Sequence, residues 1–372
     1  MAKAANTYNE YSEYGNSGNN TSGVSGIIDT ETVHGGDVYR NDVRLDFSVN
    51  LNPVPMPQQV IDAAIRGFSE IHQYPDPLHQ ELKEKIASYE KVSADEVICG
   101  SGASELIMAV CHAFRPRKAL ITAPCYAGYA RALAALNAET VEYRLRADNG
   151  FAIDEGFIDA LTDDIDIVFI ADPNNPNGKL IDAEIKRRIA DTCEKRGITL
   201  VIDECFLPLT VRGLTTRAPE DMALHLRAFT KTFAIPGIRA GYMISHDTGR
   251  LNAVSRHLPE WNMSVIAGRT GEAAAEILRD TDYLDSSNSI IAEERAYLSG
   301  ELADLGFRVY GSDTNYILLQ GQSDLYSRLL EKGILIRKCA NFSGLDETFF
   351  RIAVRTHEDN EQLTAALREI LL

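Results

Sequence analysis

Residues 226–242 read LRAFTKTFAIPGIRAGY. The stretch sets one lysine, Lys231, among Phe229, Phe233, Ala234 and Ile235. A Pro236-Gly237 turn follows, then Arg239, then a short apolar run with the character of a strand. Apolar company strips solvent from an ammonium and favours the neutral amine. A neutral amine is the nucleophile needed to form a Schiff base with an aldehyde cofactor. Most lysines are solvated surface groups, so the rest of the chain has to decide between the two readings.

Working outward, strand and helix patterns alternate. The runs EVICG, KALITA, DIVFIAD, ITLVIDE and YMIS are short, rich in β-formers and bounded by turns. Helical periodicity marks 58–68, 78–89, 104–113, 127–136 and 183–196. Such alternation predicts βαβ units and an α/β fold with a mainly parallel central sheet flanked by helices. From about residue 262 long helical stretches give way to FRVYGS, NYILLQ, ILIRK and FFRIAV, which reads as a smaller α/β domain. The expected division is a mobile arm over 1–26, an N-terminal segment over 27–49, a large domain over 50–261 and a small one over 262–372. The arm is rich in Asn, Ser, Gly and Tyr and shows no periodicity.

The chain has 372 residues, 45% of them hydrophobic and 24% charged, as in a soluble globular protein with a sizeable core. Its formal net charge of −17 argues against nucleic acid or an anionic membrane as partner, though a few arginines in a cleft can still receive a small anion. Six cysteines lack Cys-x-x-Cys spacing and fall in apolar runs, as reduced core residues of a cytoplasmic protein do. The eight histidines show no metal-ligand spacing, and no metal is expected.

Ligands of open α/β sheets bind beyond the carboxyl ends of the strands. EVICG ends in Gly100-Ser101-Gly102-Ala103-Ser104 and opens a helix, either a phosphate cradle or a tight connection. KALITA leads to Tyr126, which can stack on a flat ring or pack in the core. DIVFIAD ends in Asp172-Pro173-Asn174-Asn175-Pro176-Asn177-Gly178, a rigid turn that can also present an amide to a phenolate-like oxygen. ITLVIDE ends in Asp203 and Glu204, of which one can face a given ligand. An acid there could pair with a protonated ring nitrogen or serve as a cap or ion pair. The Lys231 strand end adds Arg239, which a turn can bring back toward a phosphate. A phosphate cradle, a stacking ring, an amide, an acid and a lysine together describe a site for pyridoxal phosphate.

With these features the chain resembles the fold-type I pyridoxal-phosphate enzymes of the class I/II aminotransferase group, whose fold is that of aspartate aminotransferase. The likeness covers nearly everything from about residue 31. Within that group His34-Gly35-Gly36-Asp37, DFSVNLNP, TKTFAIPGIRAGY and IRKCANFSGLDETFFRIAVR look more like the threonine-phosphate decarboxylases of cobalamin synthesis than the histidinol-phosphate aminotransferases. The resemblance implies Lys231 as the Schiff-base lysine. Gly102, Ala103, Ser104, Thr230 and Arg239 would sit around the cofactor phosphate, Tyr126 over its ring, Asn175 at its hydroxyl and Asp203 at its nitrogen. It implies that Tyr74 reaches the phosphate of a neighbouring subunit in a homodimer with shared active sites. It also implies that His34, Gly35, Asn50, Asn175, Arg337 and Arg351 contact a phosphorylated amino acid, with Arg351 at the carboxylate and Arg355 a candidate for the substrate phosphate. Two departures stand out. Phe206 replaces a tyrosine that bonds the ring hydroxyl in many aminotransferases, and Ala228 replaces a Ser or Thr that faces the phosphate. The implied reaction is decarboxylation of O-phospho-L-threonine, with transamination of histidinol phosphate as the alternative and O-phosphoserine as a further possible substrate.

Overall fold

The computed structural model describes residues 35–211, 222–280 and 282–371. The expected arm over 1–26 and the expected substrate contact His34 lie outside the described residues.

The chain opens with a short strand, β1 (Leu45–Asp46), and then builds a seven-stranded sheet. Its strands are β2 (Val97–Gly100), β3 (Lys118–Ala123), β4 (Glu139–Arg144), β5 (Ile167–Ala171), β6 (Thr199–Asp203), β7 (Leu224–Ala228) and β8 (Gly241–Ile244). Their order is β2-β8-β7-β6-β5-β3-β4. Neighbours run parallel from β7 to β4, whereas β8 is antiparallel to both β2 and β7. The expectation of a mainly parallel sheet therefore holds, with one reversed strand where the chain returns through Pro236-Gly237.

Side chains alternate across the sheet and both faces are covered. Ile167, Phe169 and Val201 enter a core shared with the helices Ala103–Phe114 and Gly128–Ala134. Val168, Ile170, Leu200 and Ile202 enter a second core, closed by Ile189 and Cys193 of the helix Ala183–Arg196. That helix starts and stops where its sequence dictates. Asp182 accepts hydrogen bonds from the amides of Glu184 and Ile185, and Gly197 ends it at φ +68°. All six cysteines are buried and free. Strand β4 is not among the sequence-expected strands: Glu139–Arg144 is a half-exposed edge strand whose polar side chains mask the pattern.

A second sheet follows, made of β9 (Arg308–Tyr310), β10 (Tyr316–Gln320), β12 (Arg337–Lys338) and β13 (Phe349–Ala353) in the order β12-β13-β10-β9. Between them, β11 (Ile334–Leu335) pairs with β1, tying the N-terminal segment to this lobe. The helix His357–Leu371 packs Leu363, Leu367 and Ile370 onto Phe350, Ile352 and Ile317.

Phe169 is fully buried in the middle of the large sheet and stacks on Tyr129 with ring centroids 5.4 Å apart. Truncation leaves a cavity that rigid neighbouring strands cannot close, so Phe169→Ala is expected to cost about 3–5 kcal/mol. Urea unfolding at fixed protein concentration reads this as a lower midpoint with little change in slope.

Candidate active site

A cavity of about 250 Å³ lies over the carboxyl ends of the parallel strands, where the topology predicts a ligand. Its walls come from five strand ends of the large sheet, the N-terminal segment around Gly35 and Asn50, and the strands β12 and β13 of the small sheet with the turn between them.

Lys231 sits in a single helical turn, Phe229–Thr232, directly after β7. The amide of Asn52 donates to the Lys231 carbonyl at 3.1 Å, and that of Ile235 to Thr230 at 3.0 Å, which fixes the turn. The Lys231 ammonium lies 5.8 Å from the Phe206 ring centroid. Burial, helped by the nearby Arg351 charge, lowers its pKa to about 8, so the neutral amine is far more populated near neutrality than in an ordinary solvated lysine.

Asp203 closes β6 on the same side. Tyr129 donates to its Oδ2 at 2.7 Å and the Cys205 amide to its Oδ1 at 3.0 Å. Burial raises its pKa, and these hydrogen bonds only partly oppose the rise. Glu204 points to the other face, where it meets Lys186 at 2.7 Å and Arg227 at 2.8 Å. The adjacent acids therefore divide as strand alternation requires, with Asp203 the one at the cavity.

Of the three asparagines in the Asp172–Gly178 turn, two build the turn itself. Asn174 donates to the Pro124 carbonyl and to Asn177, and Asn177 to the carbonyls of Gly150 and Phe151. Asn175 lines the cavity, and its oxygen accepts from Arg351 Nη1 at 2.5 Å, which leaves its NH₂ as a donor.

Gly102 precedes the helix Ala103–Phe114 at φ +79°, and a Cβ built there would stand 2.7 Å from Arg239 Nη2. The guanidinium thus lies flush against a glycine turn whose following amides open a helix, a place that suits a dianion. Ala103, Ser104, Thr230 and Arg239 all line the cavity, as does Tyr126, whose hydroxyl is 3.5 Å from Ser104 Oγ. Ala228 and Phe206 line it too, so both departures lie at the site.

Arg337 and Arg351 stand directly opposite each other on β12 and β13 and both reach the cavity. Burial and the Arg351 charge push the Arg337 pKa down to about 10. Arg351 is buried, donates to Asn175 and the Ser48 carbonyl, and keeps a buried Nε without a hydrogen-bond partner. Asn50 Oδ1 is likewise buried and unpartnered at the cavity wall. Two expected residues lie elsewhere. Arg355 is engaged by Asp359 and the Asp46 carbonyl and is not among the residues lining the cavity. Tyr74 is 78% exposed and stacks on Trp261 at 4.5 Å, away from this chain's own cavity.

Residues the sequence reading missed include Tyr129, Ser48, Asn341 and Phe342, all at or beside the cavity. Tyr129 follows Tyr126 by one helical turn, the one signal that could have found it. Among the described residues no group of three His, Cys, Asp or Glu side chains could hold a metal ion. The donor set fits pyridoxal phosphate instead: a glycine–arginine cradle for the phosphate, a buried acid for the ring nitrogen and a desolvated amine for the aldehyde.

The family model described as aminotransferase class I and II matches residues 43–370. A threonine-phosphate decarboxylase of Salmonella typhimurium is 35% identical over 355 residues, covering 91% of this chain and 97% of that protein. A histidinol-phosphate aminotransferase of Methanothermobacter thermautotrophicus is 30% identical, covering 89% and 90%. The solved structure of the histidinol-phosphate aminotransferase from Clostridium acetobutylicum matches with a TM-score of 0.79 and 32% identity, covering 88% of this chain and 99% of that one. With its lysine turn, its glycine cradle and its two sheets laid out in that way, the chain belongs to the pyridoxal-phosphate-dependent class I and II aminotransferase family.

Proposed function

We propose that this protein decarboxylates O-phospho-L-threonine to (R)-1-amino-2-propanol O-phosphate and carbon dioxide, the linker chemistry of the cobalamin nucleotide loop. The 35% identical relative supports the reaction. The observation that carries the substrate class is the cross-strand pair Arg337 and Arg351, two guanidinium groups presented from one sheet face to one cavity. Like charges directly opposite each other in a sheet repel, and a substrate bearing both carboxylate and phosphate relieves that repulsion. O-phosphoserine differs by one methyl, worth only about 1–3 kcal/mol of discrimination.

When bound, pyridoxal phosphate supplies an aldehyde that links to an amine and a protonated ring that accepts the electron pair of a bond broken at the substrate Cα. The chain's own groups do the rest. Gly102, Ala103, Ser104, Thr230 and Arg239 would hold the phosphate, Tyr126 would cover the ring, and the Asn175 amide would donate to the ring oxygen. Asp203 would hold the proton on the ring nitrogen. Arg351 would grip the substrate carboxylate and, with Arg337, orient it. Gly35 and Asn50 close the substrate side. Lys231 would be the mobile group at Cα, its amine taking up a proton and, as an ammonium, returning one to Cα after carbon dioxide departs.

The same reading divides the chain into a large lobe over 50–261, a small one over 262–372 and a segment over 27–49 that packs with the small lobe and the active site. It makes the protein a homodimer in the cytoplasm. Ile65, Phe68, Ile71 and Tyr74, close together in sequence, are all more than half exposed, and a second copy would cover them. Tyr74 would cross to the neighbouring subunit's phosphate. No helix among the described residues is long and apolar enough to cross a membrane. Histidinol-phosphate aminotransferase is the second reading, favoured by the structural match at TM-score 0.79.

Carbon dioxide release from O-phospho-L-threonine without any oxo-acid acceptor is expected, and turnover that depends on 2-oxoglutarate and evolves no gas would establish the second reading instead. Arg351→Lys keeps the charge but loses the fork, and is expected to reduce kcat/KM by about 10²-fold, since a bidentate contact at the reacting carboxylate is lost. Lys231→Met tests the desolvated amine. In the folded protein the lysine releases its proton near pH 8, but in the unfolded chain it does so near 10.4. The buried ammonium thus destabilises the cofactor-free protein below pH 8. That cost fades as pH rises toward 10.4, because the unfolded state binds the extra proton in this window. Lys231→Met is therefore expected to raise stability at pH 7 by on the order of 1–3 kcal/mol, with a smaller gain at pH 10. Paired melts of cofactor-free wild type and variant at the two pH values check the sign.

A further inference from the structure

Behind the glycine cradle runs a polar chain that no catalytic role accounts for. The Ser101 amide, one residue before Gly102, donates to Glu105 Oε2 at 2.6 Å. The same carboxylate oxygen accepts from Asn262 Nδ2 at 3.0 Å. Asn262 Nδ2 also donates to the Cys99 carbonyl at 3.0 Å, near the end of β2. Its oxygen meets His79 Nε2 at 2.8 Å. Because both acceptors on the nitrogen side are oxygens, the amide orientation is fixed, and His79 must carry its hydrogen on Nε2. His79 is buried and sits at φ +48°, immediately before the helix Gln80–Glu90. Asn262 adjoins Trp261, the residue stacked on Tyr74.

One side chain therefore ties together the end of β2, the first turn of the cradle helix and the segment 74–79. Glu105 has a double effect there. As a carboxylate in the first turn it satisfies a backbone donor. As a fixed negative charge one turn from the cradle it also repels a phosphate unless its oxygens are held back. Asn262 holds them back.

We propose that Asn262 is a positioning residue for the cofactor phosphate: through Glu105 it sets the shape of the Ser101–Ala103 turn and restrains an acid that would otherwise compete with the anion. The chain from His79 makes the cradle sensitive to the placement of the segment that carries Tyr74. This inference rests on the reading that Gly102, Ala103 and Ser104 hold the phosphate.

The test compares two ligands on cofactor-free protein by fluorescence titration: pyridoxal 5′-phosphate, and pyridoxal, which lacks the phosphate. Wild type should prefer the phosphorylated form strongly; equal affinities would remove the cradle reading itself. Asn262→Asp sets a second carboxylate against Glu105 and the Cys99 carbonyl. It is expected to weaken pyridoxal 5′-phosphate by about tenfold or more, the scale of one lost hydrogen bond to a charged group. Pyridoxal should change less than about twofold, since it makes no contact with the cradle. Adding Glu105→Gln should restore most of the loss. Asn262→Ser, a milder change, carries the same comparison if the aspartate variant does not fold. His79→Phe, which removes the donor to the amide oxygen, should shift the same ratio in the same direction by less. Equal weakening of both ligands, or no weakening of either in a protein where wild type discriminates, overturns the proposal.

Discussion

Two adjacent carboxylates at the end of β6, Asp203 and Glu204, impose the constraint on which the rest of the site depends. A strand cannot turn both to one face, so the fold has to accommodate a buried acid on each side of its sheet. Burial alone would push Glu204 up, but Lys186 and Arg227 outweigh it and hold the carboxyl well below its usual range. Arg227 continues to Glu90 at 2.5 Å, which accepts from Tyr242 at 2.6 Å. Losing one member would strand a charge, a loss of about 3–5 kcal/mol. Among the described residues no cation stands at salt-bridge distance from Asp203, which meets a tyrosine hydroxyl and an amide instead. That difference separates a structural acid from one held ready for a positive partner.

Lys231 carries the complementary cost. Its ammonium is desolvated and faces Arg351 and Arg239 at longer range, and both lower its affinity for a proton. Three arginines and a lysine thus converge on one cavity in a chain whose formal net charge is −17. The overall charge limits nonspecific contact with polyanions, and the local charge selects a small dianion. Such an arrangement is stable only because the strands and turns holding it are rigid. The lysine turn is pinned through backbone bonds from Asn52 and Ile235, and the Asn175 turn by Asn174 and Asn177.

What the sequence made legible follows from local chemistry. Glycine turns and strand ends announce themselves through residues with few alternative conformations, so Gly102, Asn175, Asp203 and Lys231 could be placed along the chain. The separate roles of Asn174, Asn175 and Asn177 could not be seen, because three identical side chains in one turn differ only in what lies 50 or 27 residues away. The same limit applies to Arg355, which the resemblance offers for the substrate phosphate: β13 ends at Ala353 and the chain turns toward the helix His357–Leu371. The Arg355 guanidinium then falls to Asp359 four residues on. Tyr129 escaped because its partner, Asp203, is 74 residues distant. Asn262 escaped for the same reason, with contacts to Cys99, Glu105 and His79 that no spacing rule connects.

The division of labour between the two sheets bears on how one family supports both decarboxylation and transamination. Groups suited to the cofactor, from Gly102 to Arg239, lie on the large sheet and its turns, whereas Arg337 and Arg351 belong to the small one. The bond that breaks at Cα is the one perpendicular to the cofactor ring, and rotation about a single bond exchanges carboxylate for hydrogen in that position. On the proposed reading the carboxylate's angle would be set by the Arg351 guanidinium, which is anchored at one end to the Ser48 carbonyl and at the other to Asn175 of the large sheet. A shift of β13 of a fraction of an ångström relative to Asn175 would therefore move the substrate bond relative to the ring while leaving every cofactor contact in place. On the proposed reading, reaction choice would turn on the registration of two sheets as much as on the identity of any one side chain at the site.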